Sequence, residues 1–178
     1  YAAQTTVETL ALTELALLDI PLLRDADDGP GMYVAARGTT TRWPGAIIYR
    51  SADGVTYSES VADIGEPAAL GVTTSVLANW TRGAIMDRVS SVLVDVGPGQ
   101  LASASADQLQ ADGTLNALMV GAELVRFTTA TLQSANPNIY RVSGLLRGQG
   151  GTEWAMNGHA VDEPVVLLRS RGLRRITL

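Results

Sequence analysis

The chain has 178 residues, 46% of them apolar, enough to bury one sizeable core or two small ones. Its formal net charge of −5, with all 13 basic residues arginine, argues against a nucleic-acid grip, which needs a basic excess. It has no cysteine, which excludes disulfides, thiolate nucleophiles and Cys-ligated metals, and no apolar run reaches the length of a membrane span.

The first residue is Tyr rather than Met, and the N-terminal stretch lacks the charged start and apolar core of a signal peptide, so the sequence reads as a fragment or processed product. Eighteen glycines, with many Thr, Ser and Val between short apolar runs, predict a mainly β protein. The expected architecture is two small β-rich lobes, built from sandwich-like or barrel-like antiparallel sheets, with one short helix near residues 152–157.

Residues 1–19 alternate imperfectly and read as a strand in preference to a helix over Leu10–Leu18, with Pro21 bending its end. Asp25, Asp27 and Asp28 sit in a turn-rich loop whose spacing suits a hard cation, but the twelfth position is Ala36, where a calcium loop needs a bidentate Glu. We therefore read the loop as an exposed turn and expect no metal. Gly31–Arg37 is a strand, and Gly45–Arg50 pairs with Val55–Val61 across Asp53-Gly54, a strong hairpin signal because both central positions of a type I′ turn need positive φ. The same hairpin resembles the Asp-box of sialidase propellers, but no repeat of 40 to 50 residues accompanies it.

Pro67–Leu77 forms a further strand broken by Gly71, and Asn79–Gly83 is the expected domain boundary, dividing a lobe over 1–80 from a lobe over 81–178. Trp80 reads as a rim residue at that junction. Trp80 and Trp43 are also the candidate glycan contacts, since an exposed aromatic face is what a sugar ring stacks on. From Val89 to Val96 one face is wholly apolar, Gly97-Pro98-Gly99 turns the chain, and Ala102–Gln110 suits an irregular loop or short helix.

Leu118–Phe127 is an apolar strand interrupted by Glu123, and Ile139–Leu146 alternates as a strand that runs into Arg147-Gly148-Gln149-Gly150-Gly151-Thr152-Glu153. Three glycines in four residues allow a sharp turn there. Thr152 is the expected N-cap of a short helix stopped by Gly158, and the chain returns through His159 to the strand Pro164–Leu168. Arg147 presents five donors at the turn, and Glu123 is its candidate partner in a buried pair that fixes register rather than performing catalysis. Arg169, Arg171, Arg174 and Arg175 make the C-terminus locally basic, either a solvated tail or a dock for an acidic neighbour.

The sequence carries no nucleophile elbow, no His-Glu-x-x-His helix and no phosphate loop, and its one histidine sits at a return loop, so we assign no catalytic residue and no cofactor.

The run Asn116–Phe127, then Tyr140–Glu153, then His159 and Val165–Leu168, closely resembles the C-terminal region of the large tail-tip hub proteins of long-tailed phages and gene transfer agents. The likeness is good over residues 88–168 and extends from Leu17 through Leu22–Ala35 at the N-terminal side, with Asp162 standing where the family pattern has Gly. The structural motif it picks out is Glu123, Arg147, Gly148, Gly151, Thr152 and His159. The resemblance implies a structural, non-enzymatic fragment of the hub at the virion tail tip, in a ring of typically three copies that closes the tail tube, supports host attachment and opens for DNA ejection. It implies other tail-tip and tail-tube proteins as partners, a homotrimer in the full assembly, a host surface receptor or glycan as a further contact, no specific nucleic-acid binding and no membrane segment. The alternative is a carbohydrate- or receptor-binding module on the tail tip, and a third, weaker reading is a cell-wall-degrading enzyme carried there.

Overall fold

The computed structural model describes residues 11–20, 23, 29–40 and 42–177. The first ten residues of the expected N-terminal strand, Pro21, and the cation reading of Asp25, Asp27 and Asp28 lie outside the described residues.

Along the chain run β1 (Thr13–Leu18), β2 (Gly31–Gly38), β3 (Ala46–Arg50), β4 (Glu59–Ile64), β5 (Leu70–Thr73), β6 (Asp87–Asp95), α1 (Ala106–Ala111), β7 (Ala117–Val120), β8 (Glu123–Ala135), β9 (Asn138–Leu146), β10 (Pro164–Leu167) and β11 (Leu173–Thr177). The protein is mainly β, as composition predicts. Six strands close an antiparallel barrel in the order β10-β5-β6-β9-β8-β7. Closure leaves these strands without a free edge. A three-stranded sheet, β1-β2-β11, covers one side of the barrel, and the β3–β4 hairpin covers the far face of that sheet.

This layering explains why some strands alternate and others read as solid apolar runs. In β6, Val92 and Val94 are buried while Val89 is almost fully exposed, because only one face of β6 meets a core. In β7 every residue is buried: Leu118 and Val120 join Val92, Val125, Phe127, Val142 and Val165 in the barrel interior, while Ala117 and Met119 face outward against Ala35, Ala68 and Leu168. β2 is sandwiched likewise, with Ala35 toward the barrel and Val34 and Ala36 toward Ile64 of the hairpin.

Several expectations are corrected. Leu118–Phe127 is two strands, turned at Gly121 with φ +58°, so that Val120 pairs with Glu123. The β3–β4 hairpin forms, but β4 begins at Glu59 rather than Val55. Asp53 Oδ1 accepts the N–H groups of Val55 (2.9 Å) and Thr56 (2.7 Å), which keeps both out of the ladder. Those bonds and one from Ser51 Oγ also hold Asp53 well below the usual carboxylate range, the Thr56 N–H contributing most. The arginine-rich C-terminus is not a solvated tail: β11 pairs with β2 from Leu173 opposite Ala35 to Thr177 opposite Gly31. Within the Ala102–Gln110 stretch a helix does form, α1, opened by a capping box in which Ser105 Oγ accepts from Gln108 N and Gln108 Oε1 accepts from Ser105 N. Arg126, buried, donates to the carbonyls of Leu109 and Asp112 at the other end of α1.

The residues on either side of position 80 are not separated. β5 lies before that position yet is a barrel strand, and β11 lies after it yet pairs with β2. At Gly71 in β5 an added Cβ would overlap the carbonyl oxygen of Asp95, so only glycine lets β5 close on β6. Gly71→Ala is expected to lower stability by about 1–3 kcal/mol, the range for forcing atoms into a filled space. A urea titration that leaves the midpoint unchanged would refute this.

Candidate functional site

The turn after β9 is where the chain concentrates its buried charge. Gly148 takes φ +58° and Gly150 φ +63°, so the backbone doubles back directly beyond Arg147. The guanidinium is thereby held inside the protein, against the start of β8, where Glu123 follows the β7–β8 turn. Arg147 Nε lies 2.8 Å from Glu123 Oε1 and Nη2 2.8 Å from Oε2, a two-pronged pair in which both side chains have no solvent exposure. Gly148 N–H donates to Oε1 at 2.7 Å, and His159 Nε2 stands 2.8 Å from Oε2. Four donors therefore occupy the carboxylate, which leaves it no oxygen with which to take a proton from a substrate.

The remaining donors of Arg147 reach other segments. Nη1 donates to Ala78 O (3.0 Å) and lies 3.5 Å from Asp87 Oδ2, while Nη2 donates to Met156 O (3.1 Å). Asp87 opens β6 at a register shift and uses Oδ1 to accept from Val89 N and Ser90 N. One side chain thus ties together the loop after β5, the start of β6, the β7–β8 turn and the turn before β10.

His159 adds a second bridge. Its Nδ1 stands 2.7 Å from Glu163 Oε2 while Nε2 faces Glu123. A neutral imidazole has one N–H and satisfies one of these contacts, whereas the imidazolium donates in both. The Glu123 hydrogen bond is the main cause that raises the His159 pKa above its ordinary value; burial opposes it, and Glu163 reinforces it. For Glu123, burial is the largest influence and acts upward, but His159, Arg147 and the Gly148 N–H together outweigh it and hold the carboxyl below its usual range. Asp87 is likewise lowered: burial acts upward and is outweighed by the bonds from Ser90 and Val89 and the charge of Arg147.

Of the residues singled out from sequence, Glu123, Arg147, Gly148, Thr152 and His159 converge on this cluster. Gly151, with φ +89°, shapes the turn from outside it. Thr152 holds the N-cap position of the 3-10 turn at Glu153–Ala155, its carbonyl accepting from Ala155 N, but its side chain makes no capping bond. Its hydroxyl accepts from Leu124 N (2.9 Å) and donates to Gln149 O (2.8 Å), stitching the turn to β8. Thr152→Val, isosteric but without the acceptor, leaves the Leu124 N–H unsatisfied and is expected to cost about 1–3 kcal/mol. Thr152→Ser should restore most of it, and equal urea midpoints for the two variants would contradict the assignment.

Asp87, Glu163 and Thr73 were not found from sequence. Glu163 carried a signal, four residues after His159 and just before a strand; Asp87 carried none. Thr73 Oγ1 accepts from Glu163 N and donates to Ala160 O, fixing the loop that carries Glu163. Asp162, where the resemblance leads one to expect Gly, takes φ +67°, the left-handed conformation a glycine would favour.

Of the two tryptophans expected as glycan contacts, Trp80 is buried and Trp43 is partly exposed. Trp80 is 8% exposed, donates Nε1–H to Gly83 O and has its backbone N–H on Asn157 Oδ1; Arg82 stands over its ring. Trp43 is half-buried over Gly38 and donates to Thr13 Oγ1. Trp154 is the exposed ring, at 76%. Among the described residues no helix is long and apolar enough to cross a membrane.

A closed six-stranded antiparallel barrel, braced at one end by a Glu–Arg–His–Glu cluster, defines the class: a small β-barrel protein. The chain belongs to the family described as Rcc01698-like, C-terminal, whose model matches residues 68–166, more than half of its length. The match begins two residues before β5 and ends inside β10, so it takes in nearly the whole barrel and every member of the cluster. No curated protein matches the chain significantly.

Proposed function

We propose that this chain is a structural fragment of the tail-tip hub of a phage or phage-like particle such as a gene transfer agent. In this reading it is a non-enzymatic module in a ring that closes the tail tube and supports host attachment and DNA ejection. The observation that carries the reading is the family match over residues 68–166, the same stretch whose residues resemble the C-terminal region of tail-tip hub proteins. The buried cluster supports a mechanical role: its carboxylates are occupied by internal bonds, and one arginine cross-links four segments of the barrel. The acidic balance of the chain suits a wall that DNA passes without being held.

Immunogold labelling of intact particles with antibody against this chain tests the reading. Label at the tail tip supports it, and label on the head or along the tail shaft overturns it. Light scattering on the chain joined to its flanking sequence is expected to give a trimer, and a monomer throughout would remove the ring.

The alternative is a glycan- or receptor-binding module on the tail tip. The observation in its favour is a groove of about 620 Å³ at the barrel end away from the Arg147 cluster, lined by Asp95, Gln100, Asn136 and Tyr140 among others. Such hydrogen-bonding side chains beside an aromatic ring suit a sugar. A screen against host surface glycans distinguishes the two readings: a hit weakened by Tyr140→Ala favours the module, and no hit leaves the scaffold.

A further inference from the structure

The groove at the barrel end away from Arg147 is framed by chain segments that are tied to one another. Asn138 Nδ2, at the start of β9, donates to Gly97 O and Gly99 O at 2.7 Å each, which fastens the β8–β9 turn to the turn after β6. Arg37, near the end of β2, reaches the same turn: its Nε donates to Glu14 Oε2, and an added Cβ at Gly97 would overlap its Nη1. The guanidinium is seated on a glycine. Within this frame several polar atoms keep unused bonding capacity. Arg37 Nη1 and Nη2, Asp95 Oδ2, Asn138 Oδ1 and the Tyr140 hydroxyl bond to no described residue, whereas Asp95 Oδ1 is taken by Gly97 N at 2.9 Å. None of them is shut in, because the buried side-chain polar atoms lacking a partner among the described residues are Ser170 Oγ and Arg175 Nε, which lie outside the groove. They open onto a space of about 620 Å³, inside the range of small-molecule sites, about 300–1,000 Å³.

We propose that this groove binds a neutral hexose unit of a surface polysaccharide, an assignment that rests on the glycan-binding reading above and names its ligand. A pyranose hydroxyl both donates and accepts, so neighbouring hydroxyls call for donors and acceptors side by side. Arg37 supplies the donors, Asp95 and Asn138 the acceptors, and the Tyr140 ring an apolar wall for the C–H face of the sugar. Charge then selects among sugars. The charged groups of the groove are Arg37, Glu14 and Asp95, one cation against two anions, and Glu14 already holds Arg37. A carboxylate or phosphate entering there meets net repulsion, which disfavours uronates and phosphorylated sugars and leaves a neutral ring unaffected. An apolar peptide side chain would strip water from the same polar atoms without replacing its bonds.

The test titrates the 178-residue chain with short neutral gluco-, galacto- and manno-oligosaccharides, and with an oligogalacturonate of equal length, by isothermal titration calorimetry. At least one neutral series is expected to bind, at least about tenfold more tightly than the uronate and with little change as salt rises. Asp95→Asn keeps an acceptor for Gly97 N but puts a donor where the open acceptor stood. It is expected to weaken the neutral ligand about tenfold and to narrow the gap to the uronate. Arg37→Gln removes the donors and gives up only an exposed ion pair, so it is expected to fold and to bind several-fold more weakly. Trp154→Ala, at the other end of the barrel, is expected to bind as wild type. Binding of the uronate in preference to every neutral sugar, lost in Arg37→Gln, overturns this assignment and leaves a glycan-binding groove. No binding of any saccharide overturns both. The assignment also falls if the neutral ligand binds Asp95→Asn and Arg37→Gln as tightly as wild type, or if Trp154→Ala is the variant that weakens it.

Discussion

Glu123→Leu is expected to lower the unfolding free energy by about 3–5 kcal/mol, the cost of leaving a buried charge without its partner. The reason is in the donors that remain. Arg147, 2% exposed, would keep its positive charge among Ala78 O, Met156 O and the single longer contact to Asp87 at 3.5 Å, having lost both of its short bonds to a carboxylate, while His159 and the Gly148 N–H would lose their acceptor. For a chain of this length about 2–4 °C of Tm accompanies each kcal/mol, so a fall of about 10 °C follows. The pair should not behave as two independent residues. Replacing Arg147 by Met in the same chain removes the stranded charge, and the double variant is expected to be less destabilised than the sum of its singles. A Glu123→Leu protein that melts with the wild type would show that solvent reaches the cluster and that the pair is not its brace.

Stability is expected to depend on pH with two separate arms, and the sign of each follows from the direction of the shift. His159 is raised above its ordinary 6.5 in the folded state, so the folded protein binds its proton more tightly than the unfolded chain does. Its contribution is complete below about pH 6.5 and is lost as pH rises through the folded-state value, with a slope of at most about 1.4 kcal/mol per pH unit for one proton. Glu123 is depressed below 4.5, so its contribution is complete above that value and is lost as pH falls through the folded-state value. Asp87, lowered from 3.8, adds to the acid arm. Urea midpoints measured across the alkaline range should decline in the wild type and stay flat in His159→Gln, which starts lower because Glu123 and Glu163 lose their common bridge. An alkaline decline of the same size in the variant would assign that arm to another group.

Where a strand buries one face, the sequence announced it: the alternation from Val89 to Val96 is the exposure pattern of β6 read residue by residue. Where a strand buries both faces, periodicity falls silent. Leu118–Phe127 looked like one strand because β7 is packed on both sides, and the turn at Gly121 is a single glycine within an apolar run. Two-residue hairpins hide most easily in such places. The pairing of β2 with β11 joins residues more than a hundred positions apart, a relation that no local pattern encodes. In the cluster, the glycines after Arg147 flagged an unusual turn, and the lone acid in an apolar run flagged Glu123. Asp87 left no mark, because an acid at the start of a strand is ordinary until its partner is known.

The order β1-β2-β11 has a mechanical meaning. β1 and β11 both run antiparallel to β2 and flank it, with Thr13 opposite Gly38 and Thr177 opposite Gly31. Tension applied between Thr13 and Thr177 therefore pulls β1 toward one end of β2 and β11 toward the other. The hydrogen bonds of each ladder lie across that pull and are loaded side by side, in shear, so they resist together instead of unzipping one after another. The barrel, strung between β2 and β11, is shielded from the force until that clasp gives way.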